Sequence, residues 1–200
     1  MGNISGRYAV LGWGSLIWDL DNLAPHVALP WHMRAGPQLP MEFCRVSPKR
    51  KMGLAVCLDA EHGVACPTHA VASKRTALSD VIADLAARER APLDLIGGVC
   101  TLTAATRGRA EIAEVVHQWC KETGWVGAVW TDLRANYDDH LGVVFSVDHA
   151  VGYLQGLTGE SLDEAVRYIH FAPQDTDTPL RRALAGNTWW QGQVARLTAD

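Results

Sequence analysis

The run Leu39-Pro40-Met41-Glu42-Phe43-Cys44-Arg45-Val46-Ser47-Pro48-Lys49-Arg50-Lys51-Met52-Gly53-Leu54-Ala55-Val56-Cys57-Leu58 decides the fold class. Leu39–Val46 and Leu54–Leu58 are apolar and rich in β-favouring residues. The polar, glycine-ended turn Lys49–Gly53 between them reads as a hairpin connection. The cations Lys49, Arg50 and Lys51 sit on that turn and read as a solvated loop, with a phosphate clamp as the alternative.

Outward from the hairpin the same pattern repeats. Tyr8–Leu11 is a short apolar run that stops at Gly12-Trp13-Gly14-Ser15, Val64–Ala72 is a further strand, and Gly98–Leu102 and Val126–Thr131 add two more. Helices interrupt these strands and then dominate. Leu78, Ile82 and Leu85 have helical spacing over Thr76–Glu89, and Ile112, Val115, Val116 and Trp119 over Ala110–Glu122, with Gly124 as a stop. Asp148 is positioned to cap a helix through Leu157. Ser161 and Glu164 have capping-box spacing for a helix to about His170, and Thr178-Pro179 opens a last one. Strands first, helices inserted and then trailing, predict an α+β fold: a small mixed, mostly antiparallel β-barrel or sheet flanked by helices. A strictly alternating parallel α/β sheet is the competing architecture. No internal repeat and no Pro/Gly linker divides the chain, so residues 1–200 read as one domain, with a core to about residue 105 and a helix-rich completion from about 106.

Two hundred residues with 48% hydrophobic composition suffice to bury a core. A net charge of −4 argues against a nucleic-acid partner. No apolar run reaches the roughly 18 residues of a membrane span and no signal peptide precedes Tyr8, so the expected location is cytoplasmic. Met1-Gly2-Asn3-Ile4-Ser5-Gly6 falls short of a myristoylation signal, since its hydroxyl stands at position 5. The five cysteines include no C-x-x-C pair and read as buried hydrophobes in a reducing compartment. The eight tryptophans fit an aromatic pocket or core packing equally well. A homodimer through tryptophans near the C-terminus is open.

Two places carry chemistry. In Gly12-Trp13-Gly14-Ser15-Leu16, glycines flank a bulky residue just after a strand. Exposed N–H groups there can form an anion-binding nest, or the segment is a plain strand-ending turn. It matches neither a P-loop nor the dinucleotide fingerprint. Glu89 is the second. At 100° per residue, Leu78, Ile82, Leu85 and Glu89 fall within about 60° of one another, so the carboxylate continues the apolar stripe, away from the polar face of Asp80, Asp84 and Arg88. Burial and the helix C-terminus would both push its pKa upward, as suits a general base. Otherwise the helix frays at Ala87 and Glu89 turns to solvent, or pairs with Arg45 or Arg88.

Together these segments carry a resemblance. Val10-Leu11-Gly12-Trp13-Gly14-Ser15-Leu16-Ile17-Trp18 resembles the glycine-rich motif of γ-glutamylcyclotransferases, nearest to the ChaC-type branch, where it reads roughly G-Y-G-S-L-I-W. Phe43-Cys44-Arg45-Val46-Ser47 followed by Gly53 is similar to that branch's next segment. Leu85-Ala86-Ala87-Arg88-Glu89 resembles its Leu-x-x-Arg-Glu helix end, whose Glu is catalytic. The likeness covers about the first 90 residues. Trp13 departs from the family's tyrosine, keeping a ring and an N–H donor but losing the phenol.

The resemblance implies a small mixed β-barrel with flanking helices. It also implies release of 5-oxoproline from a γ-glutamyl peptide such as glutathione, or from a γ-glutamyl amine, with neither metal nor organic cofactor. Glu89 would be the general acid/base. Gly12, Trp13, Gly14, Ser15 and Leu16 would hold the substrate, with Arg45 a possible pocket residue. A different class of answer is a protein that binds an amino-acid-like ligand without turning it over. A cysteine hydrolase built on Cys44, or on Cys120 with His117, is a third, for which no nucleophile-elbow context exists.

Overall fold

The computed structural model describes residues 6–199, so the Met1–Ser5 stretch weighed above lies outside them. The chain groups into two compact units. The first holds the chain up to Leu39 together with Pro67–Leu133; the second holds Pro40–Cys66 and the chain from Arg134 on. The fold is α+β with mostly antiparallel sheets.

The first unit is built on a six-stranded sheet. In chain order its strands are β1 (Tyr8–Gly12), β2 (Val27–His32), β6 (His69–Ser73), β7 (Ile96–Cys100), β8 (Thr106–Arg107) and β9 (Gly127–Thr131). Across the sheet the order is β2-β6-β1-β9-β7-β8. Only the β1–β9 pair is parallel, with Val10 opposite Val129. Helix α1 (Leu78–Glu89) buries Val81, Ile82, Leu85 and Ala86 against a core that includes Val10, Leu16, Leu23, Val71 and Val129. Helix α2 (Ala110–Thr123) ends at Gly124, whose φ of +83° is the left-handed stop read from the sequence. Gly97 on β7 allows closest approach. A Cβ there would stand 2.1 Å from Cε2 of the fully buried Trp130. Gly97→Ala is therefore expected to cost about 1–3 kcal/mol by overpacking, read as a lower urea midpoint with an unchanged slope.

The second unit carries a three-stranded sheet of β3 (Gln38–Ser47), β4 (Gly53–Leu58) and β5 (Val64–Pro67), ordered β4-β3-β5. Strands β3 and β4 form the expected hairpin, Ser47 opposite Gly53. Lys51 and Met52 take positive φ in its turn. Strand β5 follows, then helices α3 (Tyr137–Leu141), α4 (Val147–Gly156), α5 (Gly159–Phe171), α6 (Pro179–Ala185) and α7 (Thr188–Ala199). Phe43, Leu54, Tyr137, Val166, Ile169, Leu180 and Trp190 share its core. Trp190 is buried, and Trp189 packs partly buried against that core. Tyr137 is likewise core, edge-on to Phe145 and Tyr153.

Several expectations are corrected. No closed barrel forms among the described residues; both sheets are open, the larger having β2 and β8 as its edges. Strand β2 was not legible because Pro30 breaks its pattern, and proline is tolerated there because the strand is an edge. Val64–Ala72 is two strands in two sheets. Pro67 cannot donate to a ladder, and at Thr68 the hydroxyl turns back to the Pro37 carbonyl at 2.7 Å. Helix α4 is capped by Ser146, which accepts from the His149 N–H, while Asp148 lies inside its first turn. Helix α5 starts at Gly159, before Ser161. Glu164 accordingly forms no capping box and pairs instead with Arg50 at 2.8 Å. Thr178 does cap α6, but α7 follows it, started by Asn187 accepting from the Trp190 N–H. Among the described residues no helix is long and apolar enough to cross a membrane.

Candidate active site

The site is assembled in the first unit from the end of β1 and the end of α1. Strand β1 ends at Gly12, where a Cβ would meet the Trp31 ring at 2.9 Å and the Ile17 side chain at 3.0 Å. Only glycine lets the chain turn against those groups. Trp13 and Leu16 are buried behind the turn. Ser15–Ile17 then forms one 3-10 turn, in which Ile17 N–H donates to the Gly14 carbonyl and Trp18 and Asp19 N–H to the Ser15 carbonyl.

That geometry modifies the expected nest. Alternating right- and left-handed residues define a nest, and none of Gly12–Leu16 has a positive φ. The anion-facing property left to the segment is that of a 3-10 start: the N–H of Leu16 precedes the first internal donor, Ile17.

Glu89 is the last residue of α1. Arg90, in the left-handed conformation, closes the helix, with its N–H bonded to Ala87 O and that of Ala91 to Ala86 O. The helix therefore does not fray at Ala87. The Glu89 side chain is 16% exposed, and Oε1 accepts from Arg88 Nη1 at 2.8 Å, so of the alternatives read from the sequence the pairing with Arg88 is the one that forms.

Arg88 is the residue that sequence reasoning misplaced. It is 2% exposed and not part of the polar face. Its Nη2 donates to Ser15 Oγ at 3.3 Å and to the Asp19 carbonyl at 2.5 Å, while Nη1 holds Glu89. One guanidinium thus joins the glycine-rich segment to the candidate base, 73 residues apart in sequence. Its Nε is buried without a partner. A signal for this was present: Val81 and Arg88 lie within about 20° of one another on the helix, which places Arg88 on the flank of the apolar stripe. Trp31 was missed as well, because β2 was.

The remaining candidates lie elsewhere. Arg45 belongs to the second unit, where Nη1 donates to the Arg134 carbonyl at 2.6 Å. Asp132, just after β9, is held by Arg109, whose Nε and backbone N–H each reach it at 2.9 Å. All five cysteines are buried free thiols. The adjacent Cys57 thiol and burial push Cys44 well above its ordinary value, and burial pushes Cys120 up to about 12. Cys100 differs. Burial opposes its ionisation, but hydrogen bonds from Thr103, Tyr8 and nearby main-chain N–H groups bring it down to about 7. Among the described residues no group of three or more His, Cys, Asp or Glu side chains is arranged to hold a metal ion.

Comparison with protein-family models, with curated proteins and with solved structures finds no match to this chain.

Proposed function

We propose that the protein is a γ-glutamylcyclotransferase-like enzyme that releases 5-oxoproline from a γ-glutamyl peptide or amine. The observation that carries this is the Arg88 bridge, which brings Ser15 and Glu89, from two separate motifs, to one guanidinium.

In this reaction the substrate's own α-amine attacks its γ-carbonyl. A C–N bond closes the five-membered lactam, the original amide C–N bond breaks, and the amine leaves. Nucleophile and electrophile are already in one molecule, so the protein need not supply a covalent nucleophile. Its work is to fold the substrate into attack geometry and to move a proton from the ammonium to the departing amine. Glu89 suits the proton transfer: one carboxylate oxygen is fixed by Arg88 and the other has no hydrogen-bond partner among the described residues. The main-chain N–H of Leu16, at the start of the 3-10 turn, would hold the α-carboxylate or polarise the carbonyl.

Trp13 favours a second reading, binding of an amino-acid-like ligand without turnover, because it removes the phenol that the resembled family carries at this place. Both readings are tested by measuring 5-oxoproline release from glutathione and a panel of γ-glutamyl amino acids and amines, for wild type and Glu89→Gln. Release that depends on Glu89 supports the enzyme. A folded wild type that binds members of the panel and turns over none supports the binding protein.

Thiol chemistry gives a separate check. Iodoacetamide is expected to react slowly, since all five thiols are buried. Release is expected to survive that alkylation. Loss of activity in proportion to modification of Cys44 or Cys120 would instead favour a thiol enzyme.

A further inference from the structure

The geometry points to Arg88 as a positioning residue that fixes the Glu89 carboxylate and the Ser15 segment in one frame, an assignment that rests on the cyclotransferase reading. Arg88 does not face solvent, and its position cannot be explained as a surface ion pair. At 2% exposure it buries a full positive charge, which is costly unless its donors are matched. The matches are specific. Nη1 meets Glu89 Oε1 at 2.8 Å, and Nη2 meets Ser15 Oγ at 3.3 Å and Asp19 O at 2.5 Å. The Asp19 carboxylate stands further off, at 3.9 Å, and is 59% exposed, so it adds little to this arrangement.

Three consequences follow from the planar fork. First, Oε1 of Glu89 is occupied, so the proton a substrate ammonium gives up is directed to Oε2. Second, Ser15 opens the 3-10 turn and Asp19 follows it, so holding both fixes the turn that presents the Leu16 N–H. Third, base and turn are joined through one rigid group, so the distance between the proton acceptor and the Leu16 N–H is set by the guanidinium and not by two independent side chains. Lysine cannot reproduce this. Its ammonium is a point donor on a flexible stem and cannot span the same acceptors in a plane. The buried Nε without a partner fits a guanidinium oriented for its terminal nitrogens at the expense of its third donor.

The test is steady-state kinetics of wild type, Arg88→Lys and Ser15→Ala on the γ-glutamyl compound that wild type turns over fastest, each variant checked by thermal unfolding. A group that positions the base and the turn should act on kcat. Arg88→Lys is expected to lower kcat about 10-fold or more, with KM within about 2-fold, because misplacement of a base by an ångström is costly to rate and not to binding. Ser15→Ala removes one of the two tethers to the turn and leaves the Arg88 bonds to the Asp19 carbonyl and to Glu89, so a smaller fall of about 3-fold in kcat is expected. A residue needed only for the fold would lower the unfolding temperature and the active fraction, and leave kcat per folded molecule unchanged. An unchanged kcat per folded molecule, or a rise in KM alone, overturns the assignment. Should Arg88→Lys fail to fold, the Ser15→Ala result decides it by the same criterion. Absence of release from wild type removes the cyclotransferase reading and this role together; wild-type turnover with kcat indifferent to Arg88 and Ser15 removes the role alone.

Discussion

Glu89→Gln is expected to cut 5-oxoproline release by roughly 10²-fold or more, a loss of about 2.7 kcal/mol in transition-state stabilisation. Glutamine nearly matches glutamate in volume, and its amide oxygen can still accept from Arg88 Nη1, the bond that holds the side chain at 2.8 Å. What it cannot do is take up a proton. The side chain lies at a closed helix end, with 16% of its surface exposed, so the substitution creates no cavity. The bond to Arg88 becomes weaker when its acceptor is neutral, and a stability loss of about 1 kcal/mol or less is expected from that. Rate and stability should therefore separate. Thermal unfolding of the variant should stay close to wild type while kcat collapses. If the variant turned over at the wild-type rate, Glu89 would have no part in proton transfer. If its unfolding temperature fell steeply, the Arg88–Glu89 pair would be a structural clamp first.

What the sequence discloses depends on how local the cause is. The β3–β4 hairpin, the Thr178-Pro179 start of α6 and the Gly124 stop of α2 were legible because a few adjacent residues fix each of them. The split of Val64–Ala72 was not, since Thr68 answers to Pro37, 31 residues away. The open sheets belong to the same class. Whether edges meet depends on β2 and β8, one obscured by a proline and the other only two residues long. At the site, Glu89 and the Gly12–Leu16 segment were legible as types of residue in a pattern. Arg88 was not, because an arginine one turn after Asp84, in the row of Asp80 and Asp84, reads as solvated until residues elsewhere in the unit supply its acceptors. Ser15 and the Asp19 carbonyl do so, and neither is visible in the helix itself.

Among stability effects the largest is expected from Glu42→Ala, at about 3–5 kcal/mol, from the donors it would strand. Glu42 is fully buried on β3. Oε1 accepts from the Phe43 N–H at 2.7 Å, Oε2 accepts from the Leu180 N–H at 3.1 Å, and the Thr178 hydroxyl is a third donor. Thr178 also accepts from the Arg181 N–H, so the carboxylate ties the central strand of this sheet to the capped start of α6. Alanine would leave these donors buried without an acceptor. Relief of carboxylate desolvation offsets part of the loss, and that opposing contribution has a sign that pH can read. Burial raises the Glu42 pKa, outweighing the donors that lower it. A raised folded value means that the group's titration contributes its full stability below the unfolded value, about 4.3, and loses it as pH rises through the folded value. Glu42→Gln cannot titrate, and it turns one acceptor into a donor facing an N–H, so it should also be less stable than wild type. Urea unfolding between pH 4 and 7 should then show the gap between wild type and Glu42→Gln narrowing as pH rises. Asp59, whose hydrogen bonds lower its pKa despite burial, works in the opposite direction but is present in both proteins. A gap that widened with pH would mean that the three donors hold the charged form more strongly than burial opposes it, and that Glu42 is a net ionic anchor of this unit at neutral pH.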